Sequence, residues 1–127
     1  MIINYIFQTN SMELVAFLGK DKENWGQLKA LVSRGQWENV VVVKTKEAEE
    51  FELGNAEIIK IDSDKPLTDL KDDLINKLRT KLKDFEVALS IASGTGKEHM
   101  AILSALLTIP VGVRLVVFTK DGIQFVN

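Results

Sequence analysis

The sequence predicts an α/β fold: a three-layer sandwich around a mostly parallel sheet of order 3-2-1-4-5, ending in an antiparallel β-hairpin. Three observations predict it. Apolar, strand-like runs alternate with helix-spaced segments, the pattern of βαβ units. Val40-Val41-Val42-Val43 sets consecutive β-branched residues in a row, as a strand buried on both faces requires. The run Leu89-Ser90-Ile91-Ala92 breaks into Ser93-Gly94-Thr95-Gly96-Lys97 and resumes with helical spacing, which reads as a strand, a tight turn and a helix start.

Each element has its own warrant. Ile2–Phe7 is apolar apart from Asn4 and reads as the first strand, ending at the polar turn Gln8-Thr9-Asn10-Ser11. Asn10 and Glu13 have the spacing of a helix cap with its reciprocal acid. Leu14, Val15, Phe17 and Leu18 then form the apolar face of a helical piece closed by Gly19. Trp25, Leu28, Leu31 and Val32 continue with helical spacing to Gly35. Asn39–Lys44 is the second strand and Ala56–Ile61 the third; the acidic Thr45–Asn55 between them holds a short helix at most. Pro66 suits a first helical turn, and Leu67, Leu70, Leu74, Leu78 and Leu82 mark one stripe of the helix that follows. Phe85–Ala92 is the fourth strand. The helix after the Gly-rich turn is apolar all round, as burial against the sheet and a partner chain would demand. Val113–Thr119, the turn Lys120-Asp121-Gly122 and Ile123–Val126 form the terminal hairpin.

Composition bounds the function. The chain has 127 residues, 46% of them hydrophobic and 27% charged, which fits one soluble globular domain. No apolar run approaches the ~20 residues of a membrane span, and the start lacks the basic region and cleavage site of a signal peptide. Zero cysteines and a single histidine argue against disulfides and a transition-metal site, and fit a cytoplasmic protein. A net charge of −2 lacks the basic excess of a protein that grips long nucleic acid. No cofactor is implied.

In the predicted strand order, ligands bind outside the strand ends where the order reverses, between strands one and four. The loops expected there are Gln8–Ser11 and Ser93–Lys97. Amides of a helix N-terminus, a glycine-rich turn and a lysine suit a phosphate. Gln8, Thr9, Asn10, Ser11, Ser93, Gly94, Thr95, Gly96 and Lys97 are therefore the candidate ligand-binding residues. Lys97 would neutralise a phosphate; a cation at a helix N-terminus is otherwise electrostatically misplaced. His99 has the titration range for proton transfer, or else simply faces water. Glu98, three residues after Thr95, completes a capping box. Ser11 and Thr9 either orient the ligand or cap a helix. Trp25 and Trp37 serve base stacking or packing. Familiar motifs fail: a Walker loop finds Ile91 and Glu98 in place of its glycine and hydroxyl, and the dinucleotide fingerprint meets Gln8-Thr9-Asn10 after strand one. Gly-x-Ser-x-Gly is absent.

Ser93-Gly94-Thr95-Gly96-Lys97-Glu98-His99-Met100 after strand four resembles the Gly-Gly-Thr-Lys-x-Met type of signature in CRISPR-associated Rossmann-fold (CARF) domains. The order of elements, a Rossmann-like core closed by a hairpin, is similar too. The resemblance implies a homodimer that binds a cyclic oligoadenylate, the second messenger of type III CRISPR immunity, across its two-fold axis. This length leaves no room for an attached effector domain. The resemblance therefore also implies the activity of stand-alone members: metal-independent ring-nuclease cleavage, in which a ribose 2′-OH attacks the adjacent phosphate. Lys97, Ser11 and His99 are then the candidate catalytic residues. Two other classes stay open: a non-catalytic CRISPR-associated assembly or regulatory subunit, and a nucleotide-binding domain of another Rossmann-like family.

Overall fold

The computed structural model of the protein describes residues 12–48 and 50–127. Its strands are β1 (Glu13–Leu18), β2 (Asn39–Thr45), β3 (Glu57–Ile61), β4 (Glu86–Ser90), β5 (Gly112–Thr119) and β6 (Gly122–Phe125). Its α-helices are α1 (Trp25–Arg34), α2 (Leu67–Arg79) and α3 (Gly96–Thr108). The strands form one six-stranded sheet of order β3-β2-β1-β4-β5-β6. All pairings are parallel except β5 with β6. The expected order, 3-2-1-4-5 with a terminal antiparallel hairpin, is the order observed.

The central strand is a correction. Leu14, Val15, Phe17 and Leu18 lie on β1, not on a helix. Every residue from Glu13 to Leu18 is buried, so this strand shows no alternation of polar and apolar positions. A continuous apolar run fits helical spacing as readily as a strand buried on both faces. Glu13 is accordingly not a capping acid. Its carboxylate accepts hydrogen bonds from the Lys83 and Asp84 amides at 2.8 and 2.9 Å and from Asn39 Nδ2 at 3.1 Å. It stitches the loop before β4 to the start of β1. Glu13→Ala would strand those amides at the buried edge, so we expect a loss of about 2–3 kcal/mol, measurable by urea denaturation. The expected strand Ile2–Phe7 and its loop Gln8–Ser11 lie outside the described residues.

Alternate side chains of β1 feed two cores. Val15 and Phe17 face α2 and α3, joined by Val41, Val43, Ile59, Ile61, Val87 and Leu89. Leu14, Ala16 and Leu18 face α1, with Val42, Ala88 and Val116. The leucine stripe of α2 is buried at Leu70, Leu74 and Leu78, each worth about 1.5–3 kcal/mol of hydrophobic burial. Leu82 lies beyond the helix end and packs against the same core. α1 buries Trp25, Leu28 and Leu31 on the opposite face. Trp25 spends its indole N–H on the Gly19 carbonyl at 2.9 Å and sets its ring edge-on to Phe51, so it packs the core. The segment after β2 folds as a single 3₁₀ turn, Lys46–Ala48. Among the described residues, no helix is long and apolar enough to cross a membrane.

Candidate functional site

β1 continues into α1 on one face of the sheet, and β4 into α3 on the other, so the strand order reverses between them. The loops that meet at this crevice are residues 19–24 and 91–95. The first is not the loop the sequence pointed to: the true central strand begins at Glu13, which moves the crevice to Gly19 and Asp21.

Ser93 is the hub. The residue is 1% exposed; its hydroxyl accepts from the Gly19 amide at 2.8 Å and donates to Asp21 Oδ1 at 2.6 Å. The same carboxylate oxygen accepts from the Gly94 amide at 3.0 Å, while Oδ2 accepts from Asn24 Nδ2 at 2.6 Å. Burial raises the Asp21 pKa, but donation from Ser93, Asn24 and Gly94 outweighs it and holds the carboxyl below its usual range. The sign of the pH dependence follows. A depressed carboxyl stabilises the fold above its unfolded pKa and loses that contribution as pH falls through its folded value. The amide resonance of Gly94 should therefore stay constant at neutral pH and shift only on acidification below the ordinary carboxylate range. A midpoint at or above that range would contradict the clasp.

The turn is tight. Gly94 has φ +109°, and a Cβ there would stand 2.8 Å from Phe17 Cδ1 and 3.0 Å from His99 Nε2. Gly19 approaches from the other side: its Cβ would meet Gly94 Cα at 2.9 Å. The two loops thus touch backbone to backbone.

α3 begins with the expected capping box. Glu98 N–H donates to Thr95 Oγ1 at 3.2 Å, and Thr95 N–H to Glu98 Oε1 at 2.8 Å. The other Glu98 oxygen accepts from the Ser63 hydroxyl, which ties in the loop between β3 and α2. The Ser63 carbonyl accepts from Lys97 Nζ at 2.8 Å. Of the four amides of the Gly94–Lys97 turn, those of Gly94 and Thr95 are thus taken by carboxylates. The Gly96 and Lys97 amides, at the first two positions of α3, have no acceptor among the described residues, as a helix start dictates. Both residues are exposed. His99 does not face water alone: its ring stands edge-on to Phe17, 6.3 Å between centroids, and Nε2 lies 2.7 Å from the Ser93 carbonyl. A carbonyl only accepts, so Nε2 carries the proton.

The structure therefore gathers Ser93, Gly94, Thr95, Gly96, Lys97 and His99 at one crevice. Gln8, Thr9, Asn10 and Ser11 lie outside the described residues. Asp21 and Ser63 were missed. Asp21 followed by Asn24 and Trp25 carries a helix-start signal, which reading Gly19 as a helix end hides. Ser63 lay in an ordinary Asp-Ser-Asp turn with nothing to distinguish it. No cluster of three or more His, Cys, Asp or Glu suited to a metal ion occurs among the described residues.

No protein-family model and no curated protein matches the sequence. Among solved structures, Can2 from Sulfobacillus thermosulfidooxidans, determined in complex with cyclic tetra-adenylate, matches 90% of this chain with TM-score 0.59 at 12% identity. The likeness is one of fold. The chain spans 34% of the length of the Can2 chain, about a third. What the two share is the architecture in which a crevice opens beside the central strands.

Proposed function

We propose that this chain is a cytoplasmic CARF-like sensing domain of type III CRISPR immunity, with a cyclic oligoadenylate as its ligand and a homodimer as its working form. The observation that carries the reading is the fold shared with a protein solved with cyclic tetra-adenylate, over nine-tenths of this chain. The Ser93–Met100 segment, standing where the strand order reverses, supports it.

Lys97 and the Gly96 and Lys97 amides supply the donors for one phosphate, with the helix dipole behind them. Lys97, Met100, Ser104 and Leu107 fall on one stripe of α3 by their spacing. Met100 is 57% and Leu107 67% exposed, large values for apolar side chains. A two-fold axis along this stripe would bury both and bring two Lys97 side chains to one ligand. Leu107→Glu should then yield a monomer by light scattering, with its melting temperature nearly unchanged. A variant that remains dimeric would exclude this face.

Cleavage is the finer part of the proposal. The 2′-oxygen of a ribose would bond to the adjacent phosphorus while the P–O5′ bond breaks, leaving a 2′,3′-cyclic phosphate and a 5′-hydroxyl. The 2′-OH proton leaves and the 5′-oxygen gains one, so no metal or redox partner is required for balance. Lys97 would stabilise charge on the phosphate oxygens, and His99, on the same turn of α3, would supply an imidazole for proton transfer. Calorimetric titration with cyclic tetra- and hexa-adenylate tests binding: saturable heat at micromolar ligand is expected, and none up to tens of micromolar would overturn the proposal. Incubation without divalent metal, followed by chromatography, separates a binder from a ring nuclease.

One observation favours a second reading, a non-catalytic assembly or regulatory subunit. Phe17 packs beneath Gly94 and Asp21 closes over it, so the turn is filled from within the protein. Ligand titrations without response, together with an intact dimer, would select this alternative.

A further inference from the structure

Resting on the ligand-binding reading of the same crevice, we propose that Asp21 is an internal competitor for the ligand's phosphate. Its carboxylate fills the Ser93–Gly94 donor pair, and a phosphate gains those donors only by displacing it.

The geometry is that of a bound oxyanion. One oxygen of Asp21 takes a hydroxyl at 2.6 Å and an amide at 3.0 Å from consecutive residues of the turn. These donors precede the two unbonded amides at the start of α3 by a few residues. A phosphate seated on Gly96 and Lys97 and extended toward Gly94 therefore meets Asp21 first. Charge sharpens the conflict. The hydrogen bonds of the junction involve two carboxylates, Asp21 and Glu98, and the ammonium of Lys97. Glu98 is fixed: it is 5% exposed and completes the capping box that starts α3. Asp21 is half-buried on a loop, and its far oxygen accepts from Asn24. It can turn into water without opening either core, because it belongs to neither buried cluster.

A purely structural role makes the opposite demand. Ser93 and Gly94 need an acceptor, not a charge, and an asparagine oxygen would serve. Asp21→Asn keeps that acceptor and removes the repulsion. Asn24→Ala keeps the charge and removes the outer grip. Binding is measured with two probes: cyclic tetra-adenylate by calorimetry, and inorganic pyrophosphate through the amide resonances of Gly94 and Gly96. We expect Asp21→Asn to bind either probe about tenfold more tightly and Asn24→Ala about threefold more tightly. In both variants the Gly94 resonance should respond to pyrophosphate at lower concentration than in the native chain.

Unchanged or weaker binding of both probes by both variants would overturn the proposal, since Asp21 would then only hold the loop in place. Equal binding of cyclic tetra-adenylate by native and variant chains would overturn it while leaving the ligand reading intact. Tighter pyrophosphate binding by Asp21→Asn, with no response to any cyclic oligoadenylate, would support the competitor and sink the ligand class. Should Asp21→Asn fail to fold, the sign of the Asn24→Ala change decides.

Discussion

Gly94→Ala is expected to cost about 3–4 kcal/mol of stability, one of the largest single-residue effects in this chain outside deep core truncations. Two penalties combine. A φ of +109° strains any residue with a Cβ. The added methyl would also stand 2.8 Å from the Phe17 ring and 3.0 Å from His99, inside van der Waals contact with a fully packed strand. Phe17 is 1% exposed and cannot move aside without disturbing the core shared with α2 and α3. Relief would have to come from the turn itself, which would break the Gly94–Asp21 hydrogen bond. Gly96→Ala is the control: nothing lies within 4 Å of its Cβ position, so it should be neutral or slightly stabilising. Thermal or urea unfolding of the two variants side by side checks the contrast. A Gly94→Ala protein as stable as the native chain would show that the turn is not held in this conformation.

Lys97→Ala should weaken cyclic oligoadenylate binding by about 30- to 100-fold while leaving stability within about 0.5 kcal/mol. Lys97 is exposed, and its ammonium donates to the Ser63 carbonyl. Such a surface contact adds little to the fold. Facing a phosphate in a crevice with two carboxylates, the same charge is worth about 2–3 kcal/mol as a charge-assisted hydrogen bond. Calorimetry and a melting curve on one sample measure both numbers. Lys97→Arg should recover part of the affinity, because the charge returns in a different geometry. Undiminished binding by Lys97→Ala would remove Lys97 from the site.

Much of this architecture was readable from the chain because several local signals agreed. Val40–Val43, the leucine stripe of α2, the Thr95–Glu98 pair and the terminal hairpin each report structure through short-range rules. β1 defeated those rules. With Leu14 and Phe17 buried on opposite faces of the sheet, the residues carry no periodicity to read. The error then propagated to the site. Placing the central strand too early pointed to Gln8–Ser11 as the facing loop, when the residues in contact with the Gly-rich turn are Gly19 and Asp21. Half the crevice was legible, the half following β4, because its signal is a turn with its own glycines and cap. The other half depends on which strand is central, which only long-range pairing decides. The Ser63–Glu98 link is long-range in the same sense: it joins residues 35 apart, and neither carries a mark of the other.

The six consecutive buried positions of β1 also bear on how this protein can change over generations. Between two cores, each exchange on that strand must conserve volume on its own side, so drift there is slow and selection is mostly steric. The exposed loop positions above it, Thr95, Gly96 and Lys97 among them, answer to no such restriction. Change would therefore accumulate at such exposed loop positions, while the scaffold beneath them keeps its shape.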